Sequence, residues 1–262
     1  LYLFEEMAEI MKAVEEVGQA VQDIARNVLS GGSKHSYCSD ATCFQYAPCA
    51  VHQKIKLIYF NARGRAEGAR LIFAEGKVEY EDYRFPPNHD NDTNPSRMND
   101  AFSALEPRLT WGQVPAMEVG STMLTQTRAI ERYAAQRARL IPEDPIEAAF
   151  VDGVVEALTD LQTEVIKTMW GKPEEKEAAQ KEFSESILPR FGGQFSAVLT
   201  KSGSGYYGKE FCYADLLSYA LWDMINTHSG GKVLEAFPAV KAHCETVAAR
   251  PRVAAYLAAR PA

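Results

Sequence analysis

An α/β fold followed by an all-α one, with a separate helix in front, is what this sequence predicts, and three observations carry that expectation. Between Lys54 and about residue 140, apolar runs of strand length alternate with helical patterns. Beyond Pro145 every strong pattern has helical period, and residues 1–30 carry an apolar seam cut off by a Gly- and Ser-rich stretch. The organisation expected is a helical extension over 1–30, a linker over 31–53, an α/β domain over 54–140 and a helical domain over 145–262. With 262 residues, 46% of them hydrophobic, the chain can bury one large core or two medium ones.

In the extension, Leu3, Met7, Ile10, Val14, Val17, Val21, Ile24 and Val28 recur in alternating steps of four and three, a heptad seam on one helix face. Glu5, Glu6, Glu9, Glu15, Glu16 and Asp23 make much of the remaining surface acidic. A lone helix cannot bury such a stripe, so it is expected to dock on another protein, the alternatives being the same helix of a second subunit and a fold back onto its own domain. The segment "SGGSKHSYCSDATCFQYAPC" then reads as a linker long enough to reach a partner. Cys38, Cys43 and Cys49 cluster there, flanked by His35 and His52, but spacings of four and five intervening residues do not match C-x-x-C zinc knuckles. Free thiols, a disulfide and a metal all stay open.

The compact fold begins with "KIKLIYF", a strand by its apolar and aromatic run, and "ARGRAEGARLIFAEG", a helix with Ala66, Ala69, the Arg70 stem, Ile72 and Phe73 on its buried stripe. "KVEYEDYRF" is a second strand, which makes a βαβ opening. "QVPAMEVGSTMLTQ" is a hairpin with strands over 113–119 and 122–125 about a Gly120-Ser121 turn, and "TRAIERYAAQRA" is a helix ending before Pro142. In the helical half, "IEAAFVDGVVEALTDLQTEVIKTMW" places Phe150, Val154, Leu158, Leu161 and Val165 on one face.

Two places in this order suggest a site. Proline cannot donate to a strand ladder, so Pro115 belongs at an edge or bulge, and a cis bond there would turn the backbone N–H and C=O of Val114 outward to an extended peptide-like ligand. Gln126 and Thr127 stand where a strand ends and a helix starts, with Thr127 as N-cap; free amides and a hydroxyl at a helix start attract a carboxylate, although an ordinary cap would look the same. Tyr59, closing the first strand just before Arg63, Arg65 and Glu67, is a core residue or a pocket hydroxyl. The net charge of -7 supplies no general basic surface, which disfavours nucleic acid and anionic membranes, and no run of 18 apolar residues is present to span a bilayer.

Taken together, "YFNARGRAE", "QVPAMEV", "LTQTRAIERYAA", "CYADLL" and "RPRVAAYLAARP" resemble the cytosolic glutathione transferases, especially the sigma class and the related helminth transferases, from about Lys54 to Pro261. The resemblance implies a thioredoxin-like N-terminal domain, an all-helical C-terminal domain, and a homodimer that takes glutathione as substrate together with a small hydrophobic electrophile. It also implies roles residue by residue. Tyr59 would donate a hydrogen bond to the glutathione sulfur, and Arg65 would support Tyr59. Val114 and Pro115 would hold the cysteinyl part, Gln126 and Thr127 would grip the γ-glutamyl carboxylate, and Asp160 would reach the neighbouring subunit's γ-glutamyl amine. No metal is implied.

Departures from the family pattern weaken one end of that site. Phe102 stands where a glycine-carboxylate-binding tryptophan is expected, Glu106 stands in place of a lysine, and the connection through "PPNHDNDTNPSRMND" is longer than usual. In "CYAD", Cys212 takes the cap position usually held by Ser or Thr, with Asp215 at the third helical position. The function expected is activation of the glutathione thiol for conjugation to, or isomerisation of, the electrophile. The alternative is a catalytically weak, transferase-like docking subunit. A thioredoxin-type oxidoreductase is excluded because no cysteine sits at the Tyr59 end of the first strand. The location expected is the cytoplasm, or an organelle such as a mitochondrion or plastid if a targeting segment preceded Leu1.

Overall fold

Period-two alternation builds the first strand, β1 (Ile55–Phe60): Ile55 and Leu57 enter the main core, while Ile58 and Phe60 face a second, smaller one. In the computed structural model the described residues are 53–85, 100–170 and 173–261, which belong to one compact unit, Gln53–Ala262. The helix expected over 1–30, Cys38, Cys43 and Cys49, and most of the long connection after Phe85 lie outside the described residues.

After β1 the chain makes a short 3-10 turn, Gly64–Ala66, before α1 (Glu67–Gly76). The helix therefore starts later than its sequence pattern suggests, because Gly64 sits at φ 43° and interrupts helical geometry. Its buried face also takes in Leu71, and Arg70 is buried to its tip instead of covering the core with its stem alone. The Val78 N–H donates to Phe73 O at 2.9 Å and so finishes the helix, which delays β2 to Glu81–Phe85. Next come α2 (Asp100–Leu105), β3 (Ala116–Val119), β4 (Thr122–Thr125) and α3 (Thr127–Ala138). The sheet order is β2-β1-β3-β4, with β1 and β2 parallel and the other two pairs antiparallel.

The remainder is helical: α4 (Pro145–Trp170), α5 (Pro173–Glu182), a π-helical stretch Phe183–Ile187, α6 (Leu188–Ser202), α7 (Tyr213–His228), α8 (Pro238–Ala248) and α9 (Pro251–Ala259). Asp144 starts α4 by accepting from the N–H groups of Ile146 and Glu147 at 2.8 and 3.2 Å. The buried face of α4 is Val151, Val154, Val155, Leu158, Leu161 and Val165. Phe150 does not belong to it, being 51% exposed. At about 100° per residue it falls on the rim of that arc, near the start of the helix, where no described residue buries it. One hydrophobic core runs from Leu57, Ile72 and Ile130 beside the sheet into Leu158, Leu217 and Trp222 among the helices, so the two halves share it. No described helix is long and apolar enough to cross a membrane.

Candidate active site

Three neighbouring strands end at one edge of the sheet. The ladder between β1 and β3 closes at Ile58 opposite Ala116, and that between β3 and β4 at Ala116 opposite Thr125. Tyr59, the Val114–Pro115 pair and the Gln126–Thr127 pair therefore emerge side by side, one from each strand. The Val114–Pro115 bond is cis, Pro115 is buried and Val114 is half-buried, with no backbone hydrogen-bond partner for Val114 among the described residues.

Strand alternation sends Tyr59 to the same face as Leu57, where it packs against the main core while its hydroxyl reaches the turn ahead of α1. The Arg65 N–H donates to Tyr59 Oη at 3.2 Å. Because the phenol oxygen accepts this bond, its own hydrogen remains available to a ligand atom. Gly64 makes the approach possible, since a Cβ there would lie 2.7 Å from Tyr59 Oη. Arg65 thus touches Tyr59 through its backbone. Its side chain is exposed and makes no ion pair among the described residues. Arg70, wholly buried, has its guanidinium 6.0 Å from the Tyr59 ring centre.

At the second corner Gln126, not Thr127, occupies the cap position, and Thr127 is the first helical residue of α3. Gln126 is exposed and held at φ 74°, a backbone conformation that a non-glycine residue adopts only under strain. The N–H groups of Thr127 and Arg128 have no partner among the described residues, so the positive end of α3 stays open. Arg128 fastens this corner to α4, donating from Nε to Thr159 Oγ1 at 2.6 Å and from Nη2 to Gln162 Oε1 at 3.0 Å. It also pairs with Glu131, whose carboxyl burial pushes up to about 7 while Arg128 opposes the shift. Asp160, beside Thr159, is exposed and has no charged partner among the described residues.

Phe102 does not join these groups. Its ring is 4% exposed and packs between Phe60 and Phe85, with centroids 6.3 and 6.0 Å away, in the smaller core on the opposite sheet face. An aromatic on α2 gains more from that apolar cluster than from solvent, so it offers a ligand almost no surface. Glu106 is exposed nearby in the chain. Sequence reasoning missed Gly64, Arg70 and Arg128; the one available signal was a glycine between two arginines directly after a strand.

Comparison with known proteins adds a second line of argument. The model of the glutathione S-transferase N-terminal domain matches residues 55–136, and that of the C-terminal domain matches 159–260. A glutathione S-transferase of Plasmodium falciparum is 31% identical over 218 residues, 79% of this chain and 96% of that protein. The hematopoietic prostaglandin D synthase of Gallus gallus is 27% identical over 211 residues, again 79% of this chain and 96% of that protein. The solved structure of the Fasciola hepatica sigma class enzyme superposes with a TM-score of 0.68 at 27% identity, covering 80% of this chain and 98% of that one.

Proposed function

This chain belongs to the glutathione S-transferase family, a family of enzymes that take glutathione as substrate, and from that premise we propose how its residues divide the work. The carrying observation is the convergence at one sheet edge of Tyr59, with its oxygen already accepting from Arg65 N–H, the Val114–Pro115 pair and the open start of α3. The thiol of glutathione has an ordinary pKa near 8.5, so only a few per cent is thiolate at neutral pH. Tyr59 donating to that sulfur favours the charged form and raises the population of the nucleophile. Val114 offers backbone N–H and C=O to the cysteinyl segment. Gln126 and Thr127, with the amides and dipole of α3, receive the γ-glutamyl carboxylate. Residues 54–140 form the glutathione-binding domain and 145–262 the helical one.

The electrophile has room nearby. A cavity of about 520 Å³ opens in the helical part, lined by Val165, Met169, Phe183, Leu188, Ile225 and Val233 among others. Helices α4 and α7 lead from it to the thiol corner, because Gln162 and Met224 line a small cavity together with Gly64 and Arg65. Conjugation forms a carbon–sulfur bond to the electrophile; isomerisation uses the thiol transiently and returns it. Which electrophile it is stays with the experiment. A homodimer is the proposed assembly, supported by three large apolar side chains left exposed among the described residues: Trp111 at 63%, Ile146 at 81% and Phe150 at 51%. In such a dimer Asp160, exposed on α4, is the residue we assign to the partner's glutathione amine. The cytoplasm is the proposed location, as for the cytosolic transferases the sequence resembles.

Tyr59→Phe tests the reading. It should leave the fold and glutathione affinity nearly intact, raise the bound thiol's pKa and lower turnover by about an order of magnitude or more. Thiolate absorbance against pH is the direct measurement, and an unmoved titration curve returns Tyr59 to a core role. The buried Phe102 and the acidic Glu106 favour a second reading, a weakly catalytic docking subunit. That reading predicts retention on immobilised glutathione with thiol conjugation no more than marginally above the uncatalysed rate, and efficient turnover excludes it.

A further inference from the structure

The loop that presents Arg65 N–H to Tyr59 is anchored by charged side chains along its length. Arg84 Nη1 donates to Asn61 Oδ1 at 3.3 Å, and Arg70 Nη1 donates to the carbonyls of Ala62 and Arg63 at 2.7 and 3.5 Å. Asp82 couples these two arginines, accepting from Arg70 Nε at 3.1 Å and Arg84 Nε at 2.9 Å. Arg63 itself donates from Nη1 to Asp223 Oδ2 at 3.2 Å, across to α7.

Asp223 is held in turn from the far end of the chain. Arg260, just beyond α9, donates from Nη2 to Asp223 Oδ2 at 3.0 Å and from Nη1 to Glu67 Oε1 at 2.8 Å. Glu67 is the first residue of α1, is 4% exposed, and also accepts from the Tyr256 hydroxyl at 3.0 Å. Among the described residues Arg260 is the cation that bridges both carboxylates, one behind each end of the Arg63–Glu67 turn.

We propose that Arg260 is a positioning residue for thiol activation: by drawing Asp223 and Glu67 together it sets the Arg63–Glu67 turn, and with it the Arg65 N–H, against Tyr59. The proposal rests on Tyr59 being the hydrogen-bond donor to the glutathione sulfur. Without the guanidinium, Asp223 keeps only Arg63 at 3.2 Å and Glu67 keeps Arg70 at 3.7 Å and the Tyr256 hydroxyl, so nothing ties the two carboxylates to each other and the two ends of the turn are free to separate. The turn has no slack toward the ring, because at Gly64 even a Cβ would collide with Tyr59 Oη. It can only move away. At 3.2 Å the N–H to phenol contact is already at the long end of a hydrogen bond, so a shift of a few tenths of an ångström loses it. The phenol then becomes a poorer donor to the sulfur.

The experiment uses the full chain and compares Arg260→Gln, Arg260→Lys and Asp223→Asn with the parent, by thiolate absorbance against pH and amide exchange at saturating glutathione and by steady-state kinetics at varied glutathione with one fixed activated aryl halide as electrophile. For Arg260→Gln the bound thiol's pKa should rise toward the free value of about 8.5 and kcat at neutral pH should fall about three- to tenfold. KM for glutathione should change less than about twofold, because Gln126 and Thr127 hold the other end of the molecule. Arg260→Lys, a single point charge, should recover part of kcat, and Asp223→Asn should move the thiol pKa in the same direction as Arg260→Gln. In a Tyr59→Phe background, Arg260→Gln should add nothing to the thiol pKa. Faster exchange of the Arg65 amide is the matching readout on the loop itself. A lowered thiol pKa in the parent that Arg260→Gln and Asp223→Asn both fail to move overturns the proposal alone, even if thermal stability falls. So does an additive effect in the Tyr59→Phe background, or an Arg65 amide that exchanges at the parent's rate. An unperturbed thiol in the parent overturns the reading of Tyr59 and the proposal with it.

Discussion

Helices α3 and α7 begin in opposite ways. At the start of α7, Asp215 is completely buried and its carboxylate accepts from Cys212 N–H at 2.8 Å and Tyr207 N–H at 3.0 Å, while the Cys212 sulfur accepts from Asp215 N–H in return. His243 adds a ring nitrogen 3.7 Å from the same carboxylate. At the start of α3, Gln126 is exposed and strained at φ 74°, no side chain caps the helix, and the first amides have no partner among the described residues. Both helices face the same problem of orphan N–H groups. The α7 start solves it internally and locks tertiary structure; the α3 start leaves its first amides open among the described residues, where we propose that a ligand carboxylate binds, and carries the strain.

The largest effect separating the two should come from Asp215→Ala. Removing the carboxylate strands two buried N–H donors and a buried histidine, for a loss of roughly 3 to 5 kcal/mol of unfolding free energy with glutathione affinity unchanged in the molecules that fold. Urea unfolding measures it. A loss below about 1 kcal/mol would show that α7 tolerates an open start as α3 does, and the contrast would collapse.

The mirror experiment is smaller. Gln126→Ala together with Thr127→Ala should weaken glutathione binding at least about tenfold, near 1.4 kcal/mol, while stability moves by less than about 0.5 kcal/mol. Isothermal titration and urea unfolding report the two quantities on the same protein. Unchanged affinity would mean that any bound glutathione uses another site. Gln126→Gly sharpens the point, since glycine adopts φ 74° without strain: stability should rise by about 1 kcal/mol as binding falls.

Much of this was legible in the chain, for reasons that mark where legibility stops. Strand β1, the hairpin and α3 were readable because alternation and turn residues are local, and Tyr59, Pro115 and Gln126 stand out because each sits at a break in that local pattern. Phe150 was misplaced, since periodicity ranks residues by hydrophobicity and says nothing of where a neighbouring element stops covering a helix, while Phe102 was placed by family resemblance alone, which does not tell which sheet face its ring packs on. The buried charges were illegible for a stronger reason. An arginine such as Arg70 belongs outside by composition rules and becomes buried only because Asp82 and two carbonyls meet it. Arg260 and Glu67 lie 193 positions apart, beyond the reach of any spacing argument on one sequence.

The smallest effect is expected at the closed start itself, from Cys212→Ser. Cys212 is 2% exposed, and burial together with the Asp215 charge pushes its thiol pKa up, so the group stays a neutral S–H that accepts weakly from Asp215 N–H. A serine hydroxyl in the same place is a better acceptor, and Ser leads the ranking at this position, so the cap should strengthen. Against that, oxygen is smaller and more polar than sulfur, and the site lies in the main core, where lost contact removes part of the gain. The balance should be a stabilisation of about 0.5 kcal/mol, a rise in Tm of one or two degrees at most, with glutathione affinity unaltered. A fall in Tm would show that the sulfur is retained for its apolar bulk and that Asp215 alone closes the start of α7.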